Sequence, residues 1–476
     1  MIRDVIEAFG VVVIAYFAVL NLLYIAFTAL AWRSITRYLH SLEYAAIDEA
    51  LASPLTPPIS ILLPGYNEEA GIVQSVHALL QLRFPEFEVI AINDGSKDST
   101  LQQLHDAFDL VEAPRALRGT VAHAPIRGTY RSPRHPELLV VDKENGGKAD
   151  ALNAGVDAAR YPYVCAVDAD AIIEPEALLR VAKPLLDDPD LVVATGGIVR
   201  IANGCTVEDG RVTEVRLPKN RLATLQVVEY FRAFLVGRVG WSQLHALLII
   251  SGAFGLFRRS TVEAVGGWDH TTVGEDMELV VRMHRHMRES GQEYRVQFVP
   301  DPVCWTEAPE TLKVLSRQRR RWQRGLFETL WRHKRMTLNP RYGALGMLAM
   351  PYFIVFELLG PPIALLGYLV LPISWALGLL SWPFVLAFFV FAVMLGQLLS
   401  ISALALEEFS FRRHPRGREI LRMSAYAAIE NLGYRQLTDL WRGVAFWDLI
   451  RGKKSWGDMQ RRGFQTAPSD QLSNSS

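Results

Sequence analysis

From Val11 to Trp32 the chain runs about 22 residues without a charge, and from Gly343 to Leu406 it carries only one, Glu357. No other feature restricts the fold so strongly, because about 20 apolar residues in a helix cross a ~30 Å hydrocarbon core. A signal peptide has a shorter apolar region and a small-residue cleavage site. The first stretch ends instead on Trp32, Arg33 and Arg37, which predicts a retained span whose C-terminal end faces the cytoplasm. Pro361, Pro362, Pro372 and Pro383 break up the second stretch. Two spans fit it, near Tyr352–Leu371 and Pro383–Leu404, with Gly343–Met350 leading in along the interface. The flanks are basic on both sides, at Arg319–Arg335 and at Arg412, Arg413, Arg416 and Arg418, so the crossings between them are even in number. The expectation is three spans, with the N-terminus outside and the rest of the polar chain inside. Beyond them Ile420–Leu449 is amphipathic, interrupted by Arg435, Asp439 and Arg442, and predicts helix lying in the membrane plane. Arg451, Lys453, Lys454, Arg461 and Arg462 keep the C-terminus inside, and Gln465–Ser476 is expected to be disordered.

Between the apolar stretches lies a segment of ordinary polarity, from about Pro57 to Arg335, large enough for its own core. Lys plus Arg equals Asp plus Glu at 50 each, so there is no basic excess of the kind a nucleic-acid binder needs. Three scattered cysteines, Cys165, Cys205 and Cys304, make neither a disulfide framework nor a zinc cluster and fit a reducing compartment. Ile59–Leu63, Val89–Ile92, Leu138–Val141 and Tyr163–Val167 are short apolar runs. Helical patterns at Glu69–Leu82, Ser99–Phe108 and Lys148–Ala159 alternate with them, which predicts βαβ units around a parallel sheet buried on both faces. Val111–Pro136, rich in Pro, Arg and His, reads as an irregular insertion. In such sheets ligands bind beyond the carboxyl ends of the strands. Tyr66, Asn67 and Glu68 follow the first run, Asp94 ends the second, and Asp168 and Asp170 follow the fourth.

Residues i and i+2 of an extended chain point the same way. Asp168 and Asp170 therefore offer paired hard oxygens suited to Mg2+ or Mn2+, especially one shared with a diphosphate. The competing reading is an aspartate that caps the next helix. Asn93-Asp94-Gly95 is also turn chemistry. Gly146-Gly147-Lys148 opens a helix and can cradle phosphate, or it is a plain glycine turn. Asp276 starts the amphipathic helix Met277–Met287, either as a dipole-favoured cap or as a general base for a sugar hydroxyl, with Glu275 as its competitor. Gln318, Arg321 and Trp322 lie in a very basic helix just before the apolar stretch. Its arginines meet either lipid head groups or a diphosphate, with Trp322 stacked on a sugar.

In order and spacing, PGYNE, NDGS, NGGKADALN, VDAD, SGAFGLFRR, GED and QxxRW resemble the membrane-embedded family 2 glycosyltransferases, which include cellulose, hyaluronan, chitin and poly-N-acetylglucosamine synthases. The resemblance runs from about Val11 to Gly463. It implies an α/β GT-A-like nucleotide-sugar-binding domain with a mostly parallel sheet, plus transmembrane and interfacial helices. The segments expected are an N-terminal transmembrane helix (1–40), a cytoplasmic GT-A glycosyltransferase domain (54–335) and two transmembrane helices with an interfacial lead-in (343–406). Amphipathic interfacial helices (418–463) and a disordered tail (464–476) follow. By the same resemblance Tyr66, Glu68 and Asp94 hold the nucleoside, and Lys148 approaches the nucleotide diphosphate. Asp168 and Asp170 bind diphosphate and a divalent metal, Mg2+ or Mn2+. Asp276 is the general base, Gln318, Arg321 and Trp322 close over the diphosphate and shape the acceptor site, and Ser251 and Gly252 begin the acceptor path. Two departures stand out. The family's TED or EED is GED here, and no cyclic-dinucleotide-binding domain follows the last helices, which favours the shorter synthases over cellulose synthase.

The leading expectation is a processive, inverting glycosyltransferase that uses a UDP-sugar to elongate and export a β-linked polysaccharide from a bacterial inner membrane. The alternative is a single transfer onto a lipid or polyprenyl-phosphate acceptor. A transporter or structural membrane protein is a third reading, opposed by the intact carboxylates and by spans nearly free of ionisable residues. The partners implied are the UDP-sugar, the growing polysaccharide or lipid acceptor, and membrane lipids, with no nucleic acid. Three spans leave little wall for a channel, so export points to a partner or a homo-oligomer.

Overall fold

A computed structural model of the protein describes residues 2–43, 56–208, 210–378, 382–411 and 416–451. The basic residues Arg412, Arg413, Lys453, Lys454, Arg461 and Arg462 and the tail from Gln465 lie outside them.

The four apolar runs become β1 (Ile59–Gly65), β2 (Phe87–Asp94), β5 (Leu138–Lys143) and β6 (Tyr163–Val167). They pair in parallel in the order β5-β2-β1-β6, and nearly every residue in them is buried. Helices Ile72–Leu80, Thr100–Phe108 and Lys148–Ala158 connect them. Beyond β6 the sheet continues through β11 (Phe254–Arg258), antiparallel to both its neighbours, to β8 (Val192–Ile201) and then β12 (Arg295–Thr306), which is parallel to β8. This second half carries no simple pattern in the sequence. Glycines interrupt β8, and β12 shifts register around Pro302, where the ladder loses a donor. The supposed irregular insertion, Val111–Pro136, is a correction. It contains β3 (Val111–Glu112) and β4 (Ile126–Arg131), which pair antiparallel and extend the sheet from β5. β4 lies next to the edge, covered on its outer side only by the two-residue β3, and its side chains are mostly half-exposed, so it lacks the continuous apolar run of a buried strand.

Two helices, Ala8–His40 and Trp382–Ser410, are long and apolar enough to cross a membrane, which marks the chain as a membrane protein. A third crossing requires counting Leu345–Leu358 and Gly360–Ala376 as one span, bent by 41° at the break. Pro361 and Pro362 open the second half of that pair and leave the preceding turn without two backbone donors. The expected lead-in, Gly343–Met350, is helical from Leu345 and runs on into this bent pair.

The C-terminal helices Gly417–Ile429 and Tyr434–Ile450 have an inverted amphipathicity. Asp439 is buried, and Arg442 donates to Gln323 Oε1 (2.7 Å) and pairs with Glu357 (3.2 Å). Leu421, Leu432, Leu440 and Trp447 face outward. Polar side chains inward and apolar ones outward suit a helix lying against lipid. Ion pairs then tie these helices and the apolar helices to the sheet domain. Arg232 pairs with Glu430 at 2.8 Å, Arg200 pairs with Glu407 with both side chains buried, and Arg320 pairs with Asp448.

Candidate active site

The carboxyl ends of β1, β2 and β6 converge as expected, and their loops are stitched together. Asn67, at a left-handed φ of 55°, accepts from Lys97 N (2.8 Å), and Glu68 N donates to Thr100 Oγ1 (2.9 Å). Asp94 is almost wholly buried. Its Oδ1 accepts from Lys143 Nζ (2.7 Å) and Gly146 N (3.0 Å), and its Oδ2 from Gly147 N (2.8 Å). The glycine amides read as a phosphate cradle are therefore occupied by the protein's own carboxylate. Two successive N–H groups form a concavity for an anion, and Asp94 is the anion that fills it. Lys143, fully buried, also meets Asp150 at 2.6 Å. This network fixes the start of helix Lys148–Ala158 and so aims Lys148. Only the charged end of an otherwise apolar strand, LLVVDK, could have signalled Lys143 in the sequence.

Lys148 reaches across to β6. Its Nζ lies 2.5 Å from Asp168 Oδ1, 3.9 Å from Glu275 Oε1 and 3.1 Å from Gly252 O. Burial alone would lower its pKa. Asp168, Glu275 and Asp276 outweigh that and hold the ammonium above the ordinary lysine value. Gly252 is shared: its amide donates to Asp276 Oδ2 at 3.1 Å. A Cβ on residue 252 would come within 3.2 Å of Lys148 Nζ and 3.3 Å of Asp276 Oδ2, so glycine keeps the three groups in contact.

Asp276 sits in the first turn of helix Glu275–Glu289, and its Oδ1 accepts from Met277 N at 2.8 Å. Its neighbour Glu275 is half-buried as well. Burial, together with the charge of Asp276 and against the pull of Lys148, raises the Glu275 carboxyl above its usual range.

The basic helix Leu312–Arg332 holds the loop before Asp276. Glu328 accepts from Thr272 Oγ1 (2.9 Å) and Val273 N (3.1 Å), and Arg332 pairs with Asp269. The two elements touch backbone to backbone: a Cβ on Gly274 would lie 2.9 Å from the Cα of Gly325, and one on Gly325 2.8 Å from the Cα of Gly274. That contact accounts for GED in place of TED. Gly274 has an ordinary φ of −120°, so the glycine is needed for space and not for its torsion.

A cleft of about 1490 Å³ opens between these elements. Lys148, Asp168, Asp170, Ser251, Gly252, Asp276, Gln318, Arg321 and Trp322 all line it. Arg319 lies over the Trp322 ring (4.5 Å to the centroid) and pairs with Glu229 at 2.7 Å. Tyr66, Glu68 and Asp94 sit at the neighbouring strand ends, outside the lining of the cleft. The sequence reading missed Glu229, Arg238 and Thr438, which also line it, because no motif or spacing singles them out. Among the described residues no group of three or more His, Cys, Asp or Glu is placed to hold a metal ion. The donor set Asp168 and Asp170 nevertheless fits a hard cation that takes its remaining oxygens from a diphosphate.

A mixed sheet of this order, with carboxylates at the ends of its strands facing a large cleft, defines a GT-A-type glycosyltransferase domain. The model of Glycosyl transferase family 2 matches residues 60–265, and that of Glycosyl transferase family group 2 matches residues 163–401. The chain belongs to the family 2 glycosyltransferases. It is 30% identical to a poly-beta-1,6-N-acetyl-D-glucosamine synthase of Staphylococcus epidermidis over 302 residues. It is 32% identical over 302 residues to the protein of the same name from Staphylococcus aureus. Each match covers 63% of this chain, which spans 60% of the length of those curated relatives. Among solved structures, the fold is similar to that of a mannosyltransferase from Pyrobaculum calidifontis in complex with GDP-Man and Mn2+. The TM-score is 0.51 at 18% identity, covering 90% of this chain and 100% of that one.

Proposed function

We propose that the protein is a membrane-bound, inverting, processive synthase that transfers sugar from a UDP-sugar to a growing β-linked polysaccharide. The relatives' name makes N-acetylglucosamine in β-1,6 linkage the first product to test. The observation that carries the reading is the shared Gly252 backbone, which holds Lys148 and Asp276 on the same wall of one cleft. In the reaction the acceptor hydroxyl oxygen attacks the anomeric carbon from the face opposite the nucleotide. The bond from that carbon to the β-phosphate oxygen breaks, UDP leaves with the electron pair, and the hydroxyl proton passes to Asp276. Lys148 and Arg321 offset the charge growing on the diphosphate. A divalent cation on Asp168 and Asp170 would supply further neutralisation there. Tyr66, Glu68 and Asp94 form the nucleoside side of the site, where Asp94 acts through the loop it clamps. Gln318 and Trp322 shape the acceptor side.

The test is purified full-length protein in detergent with UDP-N-acetylglucosamine and Mg2+ or Mn2+, scored for UDP release and product size. High-molecular-weight product of β-1,6 linkage supports the reading. A product that stops at one sugar on a polyprenyl phosphate contradicts it in favour of single transfer.

The proposed topology places the N-terminus outside and the catalytic cleft in the cytoplasm, because Arg33, Arg37 and Arg319–Arg335 belong on one face. A cysteine introduced at Trp375 should be labelled by an impermeant reagent from outside, and one introduced at Arg335 should not. The reverse pattern overturns the orientation.

A further inference from the structure

The cleft does not end at Asp276. A second cavity of about 380 Å³ lies among the apolar helices, walled by Tyr16, Trp241, Tyr352 and Phe356. Glu229, Arg238, Phe353, Glu357, Thr438 and Arg442 line both it and the cleft. Neighbouring arginines of the cleft and the cavity have carboxylate partners. Arg442 pairs with Glu357, and the cleft-lining Arg319 pairs with Glu229, which also accepts from Tyr434. Arg238 is different. Its guanidinium carbon lies 3.7 Å from the Phe234 ring centroid, and its Nη1 is buried with no hydrogen-bond partner among the described residues. A buried, unsatisfied donor of this kind destabilises the fold unless something accepts from it. It stands at the end of a π-helical segment, Arg232–Arg238, a local geometry frequent at functional sites.

Arg238 lines the same cleft as Asp276. A neutral ligand rich in oxygen suits this place, since an added anion would also face Glu229, Glu357 and Asp276. We propose that Arg238 is an acceptor-binding residue: its guanidinium donates to a hydroxyl or acetamido oxygen of the terminal acceptor sugar and holds that sugar with its attacking hydroxyl at Asp276. The inference rests on the reading that the acceptor is a saccharide. The planar fork of Arg supplies several donors in a fixed geometry, which a lysine does not reproduce.

The test uses the full chain in detergent, with the variants Arg238→Gln and Arg238→Lys, UDP-N-acetylglucosamine as donor and a β-1,6-linked glucosamine oligosaccharide, N-acetylated, as acceptor. Losing a hydrogen bond from a charged donor should raise the acceptor KM about tenfold or more in Arg238→Gln, and less in Arg238→Lys. Donor KM and the slow hydrolysis of donor by water should stay as in the wild type, which also shows that the variants fold. An unchanged acceptor KM overturns the inference while leaving the synthase reading intact, as does an equal loss of donor binding. Wild-type transfer to a polyprenyl phosphate that Arg238→Gln abolishes also overturns it, and assigns the guanidinium to a phosphate. Wild-type protein that neither binds nor extends the oligosaccharide overturns the synthase reading and this inference together.

Discussion

Lys148 and Asp276 meet the two peptide groups that flank the Cα of Gly252, Lys148 at the Gly252 carbonyl and Asp276 at the Gly252 amide. The proposed cation for the leaving diphosphate and the proposed base for the incoming hydroxyl are thus set by a residue without a side chain. Asp168, ion-paired to Lys148, and Asp170 complete the polar wall. Asp170→Asn should lose activity by on the order of 100-fold, because an amide is a poor ligand for a hard cation. Excess EDTA should do the same to the wild type, measured as UDP release, and full turnover in EDTA would contradict the metal role. A second prediction concerns pH. His284 is buried, with Nε2 2.9 Å from Leu247 O and Nδ1 2.7 Å from Tyr294 Oη, and burial pushes its pKa down to about 4 from 6.5. Between those values the unfolded chain binds the proton that the folded chain refuses, so stability is full above 6.5 and falls as the pH drops toward 4. His284→Gln should flatten that slope of melting temperature against pH, and a slope identical to that of the wild type would show that His284 is not its source.

Among the elements, the loop ending in Gly274 and the basic helix behave as one unit. The missing side chain in GED looks like a weakened motif in the sequence, but in the fold it is the surface on which Gly325 rests. Restoring the family residue with Gly274→Thr should therefore reduce transfer, because its Cβ meets backbone and not a movable side chain. UDP-sugar binding should survive while UDP release falls at least tenfold, about 1.4 kcal/mol in the barrier. Wild-type turnover would show that the close contact is unnecessary. The same pair marks where sequence reading stops. β1, β2, β5 and β6 were legible because strands buried on both faces are written as unbroken apolar runs. β4 was not, since a half-exposed strand next to the sheet edge, such as IRGTYR, has no continuous apolar run. The glycine pair at Gly146 and Gly147 was legible as an anion cradle, but which anion fills it depended on Asp94, 52 residues from Gly146. Contacts at that separation leave no local spacing to read.

For the whole molecule, hydropathy alone separated the sheet domain from the apolar helices, and the order of the motifs pointed to the family. Neither indicated how the two parts join. That join is made by single ionic residues that no motif singles out, such as Arg200 with Glu407 and Arg232 with Glu430. Arg238 lies at the same junction, between the cleft and the cavity among the apolar helices. The central claim is that this cleft carries out base-assisted sugar transfer with Asp276 as the base. General-base assistance is worth about 10²–10⁴-fold. The most direct test compares Asp276→Asn with Glu275→Gln in the purified full-length protein, measuring UDP-sugar binding and polymer synthesis on the same samples. Asp276→Asn should bind donor normally while synthesis falls about 10²–10⁴-fold, and Glu275→Gln should keep most of its synthesis. Abolished synthesis in Glu275→Gln beside near-normal synthesis in Asp276→Asn would contradict the central claim.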